Sequence, residues 1–185
     1  MKFFKIIIII FISLTSSIKA DSQKNLIKQL KEGGNIIFIR HAYAPGNGDP
    51  INFNKNDCST QRNLNDEGIN QSKNIGNFFR KNQISFDKVF SSEWCRCKDT
   101  AKFAFNKFQT FDALNSFYEE KFLKNKDKQI KDLKNLIKIW NDNENLILIT
   151  HYVVISEMLG VGIDSGEIIV SDKNYNIIGN IKINY

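Results

Sequence analysis

"NIIFIRHAYAPGNG", residues 35–48, is the stretch on which the reading of this chain turns. Ile36 to Ile39 form an unbroken apolar run that stops at Arg40 and His41 and then gives way to Ala, Pro and Gly. A short run without polar alternation is the mark of a strand buried on both faces, as in a parallel sheet covered by helices. In open sheets of that kind, ligands bind outside the carboxyl ends of the strands. A strand that stops on an arginine and a histidine therefore places a cation and a titratable nucleophile at such a mouth.

Working outward, the same grammar repeats. Residues 22–31 have the spacing of a short amphipathic helix, halted by Gly33 and Gly34. Pro45 to Asn63 is rich in Gly, Asn, Asp and Pro and reads as a loop. "LNDEGINQSKNIGNFFRKN" then opens a helix with Asn65 at its N-cap. "DKVFSS" is a second strand and "CRCKDTAKFAF" a second helix, and a weaker strand signal follows at residues 108–111. Ile130, Leu133, Leu136, Ile137 and Trp140 form one helical stripe among lysines, the mark of a helix with one buried and one solvated face. "NLILIT" is another continuous apolar strand, ending at His151, and "VVISEMLG" a short helix closed by Gly160. The tail reads as two antiparallel strands joined by a turn at Lys173 and Asn174. Apolar strands alternating with helices predict an α/β fold, a three-layer α/β/α sandwich around a mostly parallel central sheet.

Residues 1–20 read as an export signal, with Lys2 and Lys5 ahead of the apolar run Ile6–Leu14 and a small-residue end at Ala20. The alternative, an uncleaved anchor, is disfavoured because the run is shorter than the roughly 20 apolar residues that span a bilayer. Residues 21–185 are enough for a single domain and too few for two ordinary ones. Three of the 26 basic residues lie in the signal, so the remainder sets 23 basic against 20 acidic side chains. So small an excess points to neither nucleic-acid nor membrane binding. Periplasmic or secreted localisation is expected. The three cysteines, Cys58, Cys95 and Cys97, then suggest one disulfide, Cys58 with Cys95 or with Cys97, and one spare thiol. Zinc is disfavoured, because one residue separates Cys95 from Cys97 where structural zinc pairs have two to four.

Only four of the basic residues are arginines (Arg40, Arg62, Arg80, Arg96), and His41 and His151 are the only histidines. Arginine offers a planar fork of donors that suits carboxylate or phosphate. Both histidines and two arginines, Arg40 and Arg96, fall at or just beyond the ends of apolar strands. Two guanidinium groups and an imidazole suit a phosphoryl group, and the second imidazole can attack it.

"FIRHA", "LNDEGINQS", "SSEWCRCKDTA" and "THYVVI" occur in the order and approximate spacing of the histidine phosphatase superfamily, and from about Ile36 to Ser171 the chain resembles that family of phosphoglycerate mutase-like fold. The resemblance implies that His41 is the phosphorylated nucleophile, Arg40 its neighbouring phosphate ligand, Arg96 the second arginine and His151 the second histidine. Arg62 is implied at the pocket as a substrate-binding residue, with an ion pair to Asp66 or Glu67 as the alternative. Arg80 is assigned no chemistry. The family's frequent Arg-His-Gly is Arg-His-Ala here. The general acid that protonates a leaving alkoxide has no obvious counterpart, since the aligned position falls near Ser116. Glu119 is the candidate acid, Glu120 its neighbour, and Asp112 and Glu157 are weaker ones.

The expected function is an exported phosphatase that hydrolyses a small-molecule phosphomonoester through a phosphohistidine. It would use no metal or other cofactor, and its substrate would be of the envelope phosphosugar kind. The rival from another class is a non-catalytic phosphate- or phosphosugar-binding module with a degenerate site. A mutase role is disfavoured by chain length.

Overall fold

A computed structural model describes residues 22–184 of the chain, so the predicted signal at 1–20 lies outside the described residues. The elements follow in the order α1 (22–32), β1 (Ile36–Arg40), α2 (Asp66–Lys81), β2 (Phe86–Ser91), α3 (Cys95–Phe105), β3 (Gln109–Thr110), α4 (Glu120–Leu123), α5 (Lys126–Ile139), β4 (Asn145–Thr150), α6 (Tyr152–Leu159), β5 (Ile168–Ser171) and β6 (Ile177–Ile181). The strands form one six-stranded sheet in the order β3-β2-β4-β1-β5-β6. β1, β2, β3 and β4 are mutually parallel, and only β5 runs against its two neighbours. The mostly parallel sheet expected from the apolar runs is present, and β1 and β4 lie side by side at its centre with Arg40 opposite Thr150.

Strand alternation splits the core into two layers. Ile37 and Ile39 of β1, Ile147 and Ile149 of β4 and Val170 of β5 face a cluster completed by Leu30 of α1, Ile75 and Phe79 of α2, and Ala101 and Ala104 of α3. Ile36, Phe38, Leu146, Leu148 and Ile169 point the other way, against Leu133 and Ile137 of α5 and Val154, Ile155 and Met158 of α6. This is the three-layer α/β/α sandwich, and it explains why β1 and β4 show no polar alternation: both faces are covered.

Local chemistry fixes the elements that carry the site. The Asn65 side chain accepts from the Gly68 N–H at 3.0 Å and so starts α2, with Asp66 and Glu67 in its first turn and Arg80 and Lys81 in its last, the signs that favour a helix dipole. Gly160 ends α6 in the left-handed conformation, with φ of 71°. Cys58 and Cys95 are disulfide-bonded, which joins the 44–63 loop to the first residue of α3. Cys97 is the free, buried thiol, so of the two pairings left open by the sequence the chain uses Cys95. The disulfide also removes two of the three cysteines a zinc site would have needed. Among the described residues no cluster of His, Cys, Asp and Glu could hold a metal ion, and no helix is long and apolar enough to cross a membrane.

Candidate active site

At the carboxyl edge of the sheet a cavity of about 150 Å³ is lined by Arg40, His41, Arg62, Arg96, His151 and Glu119, with Asp49, Trp94, Ser116, Tyr118, Phe122 and Tyr152 completing the wall. The six residues expected at the site, with Glu119 as the leading acid candidate, therefore meet in one place. Glu120 and Asp112 are exposed, Glu157 is ion-paired to Lys126 at 2.8 Å, and none of these three lines the cavity.

His41 follows β1 and is almost wholly buried. Its Nδ1 lies 2.8 Å from the Ala42 carbonyl, which can only accept, so Nδ1 carries the proton and Nε2 keeps its lone pair. Burial holds the imidazole well below its ordinary pKa, Arg96, Arg40 and Arg62 push the same way, and the Ala42 bond opposes them. A neutral imidazole with a fixed tautomer is the state a nucleophile requires.

His151 sits between β4 and α6, its ring centroid 5.5 Å from that of His41. Arg96 Nη2, which can only donate, lies 3.5 Å from Nδ1, so the proton resides on Nε2. Nε2 donates to Ser92 Oγ at 2.9 Å, and the Ser92 hydroxyl donates onward to Asn115 Oδ1 at 3.0 Å. Burial, then Arg96 and His41, hold this imidazole neutral as well.

The arginines are fastened by part of their forks. Arg40 donates from Nη1 to the Ile163 carbonyl at 2.8 Å, and its guanidinium lies 5.7 Å from the Tyr152 ring centroid. Arg96 is gripped by Asp49, Nη1 to Oδ1 at 2.8 Å and Nη2 to Oδ2 at 3.3 Å. In both residues Nε is buried without a hydrogen-bond partner. Arg62 lines the cavity but pairs with neither Asp66 nor Glu67: Nε donates to the Gly48 carbonyl at 3.0 Å and Nη1 to that of Ala44. Burial, then Arg96, lowers its pKa to about 10. Its visible work is to fold the loop in which Gly46 and Gly48 take positive φ.

Glu119 stands on the cavity wall with both oxygens engaged. Oε1 accepts from the Asp49 N–H at 3.1 Å and Oε2 pairs with Lys121 at 2.9 Å. Ser116, at the position where the resemblance would put an acid, lines the cavity with a hydroxyl in Glu's place. The residues that sequence reasoning missed are Asp49, Ser92 and Asn115. Asp49 stands in "GNGDP", where nothing separates it from a solvated loop acid.

A doubly covered, mostly parallel sheet with two histidines and three arginines at its carboxyl edge defines the phosphoglycerate mutase-like class of fold. Over residues 36–145 the chain matches the family model of the histidine phosphatase superfamily (branch 1), and it belongs to that superfamily. Similar solved structures include the protein histidine phosphatase SixA complexed with tungstate, at 14% identity and a TM-score of 0.53, covering 82% of this chain and 94% of that one. A mutant phosphoserine phosphatase from Entamoeba histolytica in complex with phosphoserine gives 18% identity, a TM-score of 0.53 and coverage of 74% and 89%. The protein TTHB049 from Thermus thermophilus gives 12%, 0.56, 81% and 99%. At these identities the likeness is one of fold. A search among curated proteins finds no match.

Proposed function

We propose that this chain is an exported, metal-independent phosphatase that hydrolyses a phosphomonoester through phospho-His41. The observation that carries the reading is the pair of buried, unpartnered Nε donors of Arg40 and Arg96 beside an imidazole whose Nε2 lone pair is free. Buried donors without acceptors are rare and costly, and a phosphoryl group supplies oxygens to both.

His41 Nε2 attacks phosphorus in line as the bond to the leaving oxygen breaks. Arg40 and Arg96 stabilise charge on the equatorial oxygens. Glu119, in its acid form, gives a proton to the leaving alkoxide. Its carboxylate then takes a proton from the water that displaces His41 from phosphorus, which releases phosphate and restores the imidazole. Both Glu119 oxygens are already engaged, by the Asp49 N–H and by Lys121, so substrates with good leaving groups, which need little protonation, should react fastest.

Residues 1–20 support export, as does a disulfide of the kind that persists in oxidising compartments. An envelope phosphosugar is the substrate class that this location favours. Hydrolysis of an aryl phosphate in excess EDTA, abolished in His41→Ala and with acid-labile phosphate trapped on the wild-type protein after rapid quenching, is the expected result. A wild-type protein that binds phosphate without turnover would replace this reading with a non-catalytic binding module, a role consistent with the engaged state of Glu119.

A further inference from the structure

We propose that Asp49 is a positioning residue for phosphoryl transfer: it seizes the terminal edge of the Arg96 guanidinium and thereby turns the opposite edge toward the phosphoryl group. The proposal rests on the phosphoryl-binding reading of the cavity.

A guanidinium has five N–H donors in one plane. Arg96 spends both hydrogens of Nη1, on Asp49 Oδ1 and on the Arg62 carbonyl at 3.3 Å, and one hydrogen of Nη2 on Asp49 Oδ2. What remains is Nε–H and the second Nη2–H, which lie on one edge of the plane and form a second two-pronged fork. That edge has the unpartnered Nε at one end, and at the other the Nη2 that approaches His151 Nδ1 at 3.5 Å. Asp49 thus holds the one edge and leaves the other with an unpartnered Nε–H and an Nη2–H engaged only by the 3.5 Å approach to His151.

Asp49 is built in rather than passing through. Besides the two Arg96 bonds it accepts from the Arg62 N–H at 3.0 Å and the Trp94 indole N–H at 3.0 Å, so both oxygens are doubly engaged. The two side chains of the pair are each 4% exposed. Arg62 ties down the loop just ahead of Asp49 through the Ala44 and Gly48 carbonyls, and the Cys58–Cys95 disulfide ties that loop to the residue before Arg96. Three devices hold one carboxylate against one guanidinium, whereas a carboxylate that merely stood in for substrate would need to leave. A buried charge pair is by itself weak evidence for a stabilising role.

Orthophosphate affinity, by calorimetry, and aryl phosphatase kinetics are measured in a double-mutant cycle of Asp49→Asn and Arg96→Ala. With Asp49 present, Arg96→Ala should weaken orthophosphate binding by about 150-fold or more, as for two charge-assisted bonds. In the Asp49→Asn background the same change should cost less than about fivefold, because the guanidinium no longer presents its free edge. Asp49→Asn itself should weaken orthophosphate binding by at least about fivefold and lower kcat by more than tenfold without lowering KM, at temperatures where its melting curve shows full folding. Arg96→Ala costing the same in both backgrounds, or Asp49→Asn lowering KM with kcat intact, would overturn the proposal, the latter marking Asp49 as a competitor of substrate. Should Asp49→Asn fail to fold, Asp49→Ser carries the same cycle. A wild type without turnover refutes the phosphatase reading, while the orthophosphate arm still decides the role of Asp49.

Discussion

Acidification should destabilise this fold through its two histidines, by an amount that follows from their burial. His41 is 2% and His151 3% exposed, and burial followed by Arg96 holds both imidazoles neutral well below the ordinary histidine pKa. In the unfolded chain each takes up a proton near pH 6.5. Between that value and the depressed folded pKa, the unfolded state binds one more proton per histidine than the folded state, so stability is full above pH 6.5 and falls as the pH drops. Integrated from pH 7.5 to pH 5.5, the loss is on the order of 1 kcal/mol per histidine and about 2–3 kcal/mol for the pair. For a chain of this length that corresponds to roughly 5–10 °C in Tm. Urea denaturation at pH 7.5, 6.5 and 5.5, at fixed ionic strength in phosphate-free buffer, measures it. His41→Gln should halve the loss, and His41→Gln with His151→Gln should remove it. Asp99, whose pKa burial raises, works in the opposite sense and remains in all variants, so the differences isolate the imidazoles. A wild-type stability flat over this range, or an undiminished loss in the double variant, would refute the assignment of two neutral buried imidazoles.

Further outcomes are expected at the three cysteines and at Gly76. Non-reducing peptide mapping of the oxidised protein should link Cys58 to Cys95, and Cys58→Ser should cost about 3–4 kcal/mol in urea denaturation, the chain-entropy value for a cross-link over a separation of 37 residues. Cys97, buried and with its thiol pushed up to about 12, should resist iodoacetamide until the protein unfolds. Gly76→Ala should cost about 2–4 kcal/mol in the same assay, because a Cβ there would lie 2.2 Å from the Ala104 carbonyl oxygen and drive α2 from α3.

The central strands were legible because their burial on both faces leaves no polar alternation: "NIIFIR" and "NLILIT" became β1 and β4, paired in register. Positions at strand ends were legible for the same reason, which is how His41, His151 and Arg40 could be placed from the sequence. The choice between Cys95 and Cys97 was latent in the helix period. Cys97, Ala101 and Ala104 form one apolar stripe that points into the core, while Cys95 starts the helix beside the loop. Asp49 was beyond such reasoning, since a loop has no period, and what buries this carboxylate is a set of donors from residues 62, 94 and 96. Ser92 and Asn115 are hidden for the same cause: their polar partners lie 59 and 22 or more residues away in sequence.

The sparing use of arginine in a lysine-rich chain now has a physical basis. Each arginine grips the protein in more than one direction or keeps an edge in reserve. Arg80 donates to the Ala104 carbonyl across the α2–α3 contact and to Asn77 of its own helix. Arg62 bridges two carbonyls of one loop. Arg40 and Arg96 are fastened through their terminal nitrogens and keep a buried Nε in hand. A lysine ammonium, a compact point charge on a flexible stem, could satisfy either the anchor or the ligand but not both in fixed geometry. Holding cations rigid in a buried cavity before the substrate arrives removes that reorganisation from the transfer step. It also creates mutual repulsion among Arg40, Arg62 and Arg96, which adds to burial, the larger cause, in lowering the pKa of Arg62. One buried carboxylate, Asp49, answers that repulsion at the residue where it orients the fork, so charge balance and alignment are the work of a single side chain.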